Sequence, residues 1–178
     1  MHERNVNKLQ VAFRVSQRWN PIDRFLKYII GELIHVELVF PTNWVPGRNS
    51  FSSRGRAPIK GVRFKRINYN SRRNKKRYIF IDIPNKYEVL EKQYDIQNVR
   101  ENCLSLVRSK PDYDTLGAIF YAGMGIKVDK EEDFWCSEVV AYVLGIVDYK
   151  LTPEELYVKI VQMFHNKNFY YRMISNSS

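Results

Sequence analysis

Three side chains carry the chemistry that this sequence could perform: His35, Glu37 and Cys136. His35-Val36-Glu37 lies within an apolar, β-branched run, and Cys136 follows Phe134-Trp135 where a helical pattern begins. An imidazole can take a thiol's proton, and a helix N-terminus stabilises the resulting thiolate through its unpaired N–H groups and macrodipole. Residues two apart on a strand project from one face, so His35 and Glu37 stand together while Val36 and Leu38 point the other way. A carboxylate beside an imidazole fixes its tautomer and stabilises the imidazolium. Together these are the parts of a cysteine nucleophile site. Each also has a plain structural reading: His35 and Glu37 as surface residues of a half-exposed strand, and Cys136 as a core thiol beside Trp135 and Val139.

The remaining candidates are poorer. Cys103 shares a helix face with Leu106 and Val107 and reads as core, His2 lies near the N-terminus, and His165 falls just past a helix end. No GxxxxGK[ST], GxGxxG or GxSxG is present, so P-loop, dinucleotide and serine-hydrolase sites are not expected. Two cysteines, with no CxxC and no clustered His/Cys spacing, provide neither a disulfide framework nor a zinc site. No metal or cofactor is expected. The acidic residues Asp112, Asp114, Asp129, Glu131, Glu132 and Asp133 lack calcium-loop spacing and read as loop and cap residues.

Elements must position the three side chains. Residues 9–15 alternate as a first strand; Asn20-Pro21 then reads as a cap with proline at the first helical position, and Ile22, Phe25, Leu26, Ile29 and Ile30 mark a helix over 21–32. The run from Leu33 to Phe40 is a strand closed by Pro41, and 41–50 is a loop. Further strands are expected over 50–53, 61–67 and 77–83, with 70–76 an exposed turn. After Pro84 the pattern is helical: one helix over 96–110, a short one over 114–124, one from an Asp133 cap to Gly145, and one opened by the capping box Thr152-Pro153-Glu154-Glu155. Strands first and helices later predict an α+β fold with an antiparallel sheet packed against helices. At 178 residues and 44% hydrophobic content, one domain over 1–178 is expected.

Charge is unevenly spread. Twelve of the 29 Lys and Arg residues (Arg48, Arg54, Arg56, Lys60, Arg63, Lys65, Arg66, Arg72, Arg73, Lys75, Lys76 and Arg77) fall in a stretch without a carboxylate, which leaves 17 basic against 19 acidic residues elsewhere. A basic segment of this density can hold nucleic acid or anionic lipid electrostatically, or serve only as a solvated hairpin. No run of about 18 apolar residues and no secretory h-region is present, so a soluble protein of a reducing, intracellular compartment is expected.

The order of these motifs carries a resemblance. His35-Val36-Glu37-Leu38 precedes Ser52-Ser53 and Gly61-Val62, then Tyr113-Asp114-Thr115-Leu116-Gly117, Trp135-Cys136-Ser137-Glu138 and Thr152-Pro153-Glu154-Glu155-Leu156. Over residues 9–160 the chain resembles the circularly permuted NlpC/P60 branch of papain-like cysteine hydrolases, which includes bacterial YiiX-type proteins, a poxvirus family and lecithin:retinol acyltransferase. The resemblance implies a permuted papain-like fold with Cys136 as nucleophile and His35 as general base, acting on an amide, thioester or ester. Relatives carry a third polar residue on the strand after the histidine, where this chain has Ser52 and Ser53; Glu37 or a group near Ser53 is left for that role. Two other functions stay open: a non-catalytic, virion-associated protein binding nucleic acid or anionic membrane through the basic segment, and a lipid acyltransferase if an apolar patch adjoins Cys136. The basic, Tyr- and Asn-rich composition fits a large DNA virus, placing the protein in host cytoplasm or virion, or an intracellular parasite or symbiont.

Overall fold

Alternating apolar positions build a five-stranded antiparallel sheet, and the three helices that follow the strands cover one side of it. The computed structural model describes residues 8–17, 19–41, 48–54, 61–109, 135–146 and 151–165. The strands β1 (Gln10–Val15), β2 (Leu33–Val39), β3 (Ser50–Arg54), β4 (Gly61–Lys65) and β5 (Tyr78–Asp82) lie in the order β4-β3-β2-β1-β5. Helix α1 (Pro21–Ile30) joins β1 to β2, and the single turn α2 (Arg72–Lys75) precedes β5. Helices α3 (Ile96–Ser109), α4 (Cys136–Val143) and α5 (Pro153–His165) follow. The fold is α+β with an antiparallel sheet, as the order of patterns predicts.

Register separates the two faces of the sheet. Val11 pairs with Leu38 and Ile81, Phe13 with Val36, and Phe51 with Leu38 and Phe64; these side chains form one core with Val99, Cys103, Val139, Val140, Leu156 and Ile160 of the helices. The opposite face carries Arg14, His35, Glu37, Ser50, Lys65 and Tyr78, because each is an odd number of residues along its strand from a core side chain such as Phe13, Val36, Leu38, Phe51, Phe64 or Ile81. A polar face under a central strand costs free energy unless its groups satisfy one another.

Several expectations change. The segment 70–76 is not a plain turn: Ser71 caps α2 by accepting the Asn74 N–H at 3.2 Å. The stretch after Pro84 is not yet helical, since β6 (Lys86–Val89) and β7 (Lys92–Asp95) form a hairpin. Its turn places Leu90 and Glu91 at φ 48° and 63°, conformations usually signalled by Asn-Gly, which is why the sequence hides it. Helix α4 is capped by Trp135, not Asp133, and His165 is the last residue of α5 instead of lying beyond it. The helix expected over 114–124, the Tyr113–Gly117 motif and the acidic residues from Asp112 to Asp133 lie outside the described residues.

The hairpin braces the far end of α4. Tyr87 stacks on Tyr94 with ring centroids 5.5 Å apart, and its hydroxyl donates to the Leu144 carbonyl at 3.1 Å. Gly145 ends the helix at φ +75°, and a Cβ there would fall 2.1 Å from the Tyr94 ring. Gly145→Ala therefore incurs both a left-handed backbone penalty and a clash, and is expected to cost about 2–4 kcal/mol of stability in denaturant titration.

Candidate active site

Helix α4, which opens on Cys136, packs against strands β2 and β3. Strands β2 and β3 pair only at Leu38–Phe51 and Val39–Ser50, whereas β3 continues against β4 as far as Arg54. Beyond that short ladder α4 meets β2, and the His35 side chain and the Val36 and Ser137 backbone N–H groups all favour the Cys136 thiolate. Cys136 is the first residue of α4, where backbone N–H groups lack intrahelical acceptors. The Glu138 carboxylate accepts the Trp135 N–H at 2.8 Å and fixes this turn.

His35 stands between the thiol and Glu37. Its Nε2 lies 3.2 Å from Glu37 Oε1, which leaves Nδ1 to serve the sulfur. Glu37 is 1% exposed, so the reading of an ordinary surface pair does not hold for it. Its burial is matched by donors: Lys65 Nζ to Oε1 at 2.9 Å, Ser50 Oγ to Oε2 at 2.5 Å, the Tyr69 hydroxyl to Oε2, and the Tyr78 hydroxyl to Oε1 at 3.3 Å. Burial and the nearby carboxylate push both tyrosines well above their ordinary pKa, so they stay protonated and donate.

Charge alternates along this line of groups: Cys136, His35, Glu37, Lys65. Burial pushes the Cys136 thiol up, but the His35 imidazolium and the two N–H groups bring it below its ordinary value. Burial lowers His35, yet the Cys136 thiolate and Glu37 together raise it to about 9. Burial raises Glu37, and His35, Lys65 and Ser50 more than reverse that, holding it far below the usual carboxylate range. The ionised line is neutral overall, which is how a low-dielectric site carries four charges. Arg14, paired across from His35 on β1, does not disturb it, because Asp23 holds that guanidinium through both carboxylate oxygens at 3.0 and 2.8 Å.

Sequence reasoning identified His35, Glu37 and Cys136, and the fold brings these three together. It missed Lys65, Ser50, Tyr69 and Tyr78 as partners of the carboxylate. Alternation held part of the signal, since Lys65 falls out of phase with Val62 and Phe64 and must face the polar side. Ser53 is buried on the apolar face without a hydrogen-bond partner, and Ser52 is buried across from Arg63, so neither supplies a carboxylate-like group. The basic segment is not one free patch either: Lys65 serves Glu37, and Arg77 is buried with its guanidinium 5.1 Å over the Trp19 ring, while Arg48, Arg66, Arg72 and Lys76 are exposed. Arg56 and Lys60, and the side chains of Arg54, Arg73 and Lys75, lie outside the described residues. Cys103 is fully buried and its thiol is pushed up by burial.

Among the described residues no group of three or more His, Cys, Asp or Glu side chains could hold a metal ion, and no helix is long and apolar enough to cross a membrane. No protein-family model, curated protein or solved structure matches this chain.

Proposed function

We propose that this chain is a cysteine-dependent acyl hydrolase, an amidase or peptidase, built as a permuted papain-like domain with Cys136 as nucleophile, His35 as general acid and base, and Glu37 as the residue that orients His35. The observation that carries the reading is the neutral, alternating line Cys136–His35–Glu37–Lys65 with the sulfur at a helix N-terminus. The Cys136 thiolate attacks a substrate carbonyl carbon, and α4 N–H groups stabilise the oxyanion. The C–N or C–O bond breaks as His35 gives its proton to the leaving group. His35 then takes a proton from water, which attacks the thioester and releases the acid and the Cys136 sulfur.

Incubation with an activated ester such as p-nitrophenyl acetate, quenched early and analysed by intact and peptide mass spectrometry, tests this. An acetyl adduct on Cys136 that turns over in wild type is expected; an adduct absent, or confined to Cys103, overturns the reading. The pH dependence follows from the two shifts. Amide hydrolysis needs thiolate and imidazolium together, so its rate falls at low pH as the thiolate is protonated and falls again as pH rises through about 9, where His35 loses its proton. Alkylation of the thiol needs only the thiolate, and is expected to show the acid limb alone.

A further inference from the structure

One cation beside the imidazole has no part in the charge line of the site. Arg14 on β1 pairs directly across from His35 on β2 and from Tyr78 on β5, so the three side chains stand in one row on the polar face of the sheet. Directly opposed residues of an antiparallel pair have Cβ atoms about 5 Å apart. The guanidinium acts on the Tyr78 hydroxyl, opposing part of the rise in its pKa, which keeps the positive charge over this part of the sheet. Lys65, the other cation near His35, is spent on Glu37.

Asp23 holds the Arg14 guanidinium in place without using it up. Nη2 donates to both Asp23 oxygens, at 3.0 and 2.8 Å, and the buried Asp23 carboxylate is itself fixed by the Gln17 N–H at 3.2 Å and Asn20 Nδ2 at 3.1 Å. The anchor leaves Nη1 and Nε without a partner among the described residues, on a side chain that is 28% exposed. A guanidinium already fixed by one carboxylate loses little rotamer freedom when its remaining N–H groups take a second.

His35 gives its proton to the leaving group, so the leaving group lies beside His35, where the neighbouring strand puts Arg14. In the amide of an α-amino acid, the carboxylate carbon stands about 2.5 Å from the leaving nitrogen. We propose that Arg14 recognises a free carboxylate on the leaving amine, so that the substrate is an N-acylated amino acid or a peptide that loses its C-terminal residue. The proposal rests on the cysteine-hydrolase reading, because the His35 proton is what places the leaving group.

Titration calorimetry on the full chain carrying Cys136→Ala, which cannot turn a ligand over, tests the recognition apart from the chemistry. N-benzoylglycine is expected to bind at least about tenfold more tightly than N-benzoylglycinamide, which differs only in lacking the carboxylate. Arg14→Lys keeps a cation for Asp23 but engages its one nitrogen there, and is expected to reduce the ratio to below about threefold. Asp23→Asn breaks the same ion pair and keeps the guanidinium, and is expected to retain most of the preference. Equal binding of the two ligands, binding of neither, or a ratio unchanged by Arg14→Lys overturns the proposal. So does a preference lost equally in Asp23→Asn, because Arg14 would then serve only to anchor α1. The acetyl adduct from p-nitrophenyl acetate, which carries no carboxylate, separates the two readings. Turnover of that adduct on Cys136 together with equal ligand binding removes the Arg14 proposal alone; no adduct together with an Arg14-dependent preference leaves the carboxylate site standing and overturns the hydrolase reading.

Discussion

Replacing His35 with alanine is expected to slow alkylation of Cys136 by iodoacetamide at pH 7 by about thirtyfold. The figure is the ratio between a fully ionised thiol and a free thiol of pKa about 8.5, which is about 3% thiolate at pH 7. Two further effects act on it in opposite directions. Burial of Cys136, 5% exposed, pushes an unpaired thiol higher still and deepens the loss. The higher intrinsic nucleophilicity of a more basic thiolate offsets part of it. The Val36 and Ser137 backbone N–H groups still favour the thiolate in the variant, so the acid limb of the alkylation profile moves toward, but not fully to, that of an isolated buried thiol.

The same substitution separates activation from accessibility. Cys103 is fully buried within α3, and its thiol is pushed up by burial, so it provides the internal standard: unreactive in the native protein, reactive in denaturant. Hydrolysis should fall further than alkylation in His35→Ala, by about 10²–10⁴-fold, because it also loses the proton donor for the leaving group. An alkylation rate unchanged by His35→Ala at every pH would mean that the helix N-terminus alone activates the sulfur. His35 would then have no part in forming the thiolate.

How much of this was legible in the sequence depends on how local each signal is. Strand β2 and its two polar residues were readable because alternation is a property of consecutive residues. The Thr152–Glu155 capping box was readable for the same reason, and both of its bonds form, Glu155 accepting the Thr152 N–H at 2.7 Å and Thr152 accepting the Glu155 N–H at 3.3 Å. The rotation of α1 was not. Its apolar period is strong, but Asp23 turns inward to Arg14 on β1, and Ile22 and Phe25 of the apolar period stay exposed. The partners of Glu37 were hidden similarly: Lys65 and Tyr69 stand 28 and 32 residues away, and only strand order and the chain's return past β4 bring them to one carboxylate. The resemblance to permuted papain-like hydrolases directed attention to the strand after His35 for a third polar group, whereas the carboxylate within reach of the imidazole lies on the histidine's own strand.

Glu37→Gln is expected to destabilise the fold by about 3 kcal/mol and to disable the site at the same time, and the two effects can be pulled apart. Removing one member of a buried ion pair costs about 3–5 kcal/mol because the partner charge is left uncompensated. Lys65 is 21% exposed and can turn its ammonium to water, which sets the lower end of that range. The cost depends on pH. Glu37 has a folded pKa well below its unfolded value, so its contribution is fully present above about pH 4.5 and lost as pH falls through the folded value; the variant's stability deficit should shrink on acidification. Adding Lys65→Met removes the orphaned charge, and Glu37→Gln/Lys65→Met should recover stability to within about 1 kcal/mol of wild type. The chemistry should not recover. Without the carboxylate, His35 loses one of the two groups that raise it, so the alkaline limb of hydrolysis moves down from about 9 in both variants. Its tautomer is also no longer fixed by a pure acceptor at Nε2, since an amide can present N–H there. A double variant that regains both stability and the wild-type alkaline limb would make Glu37 a structural residue only, and the orienting role would have to lie elsewhere on the polar face of the sheet.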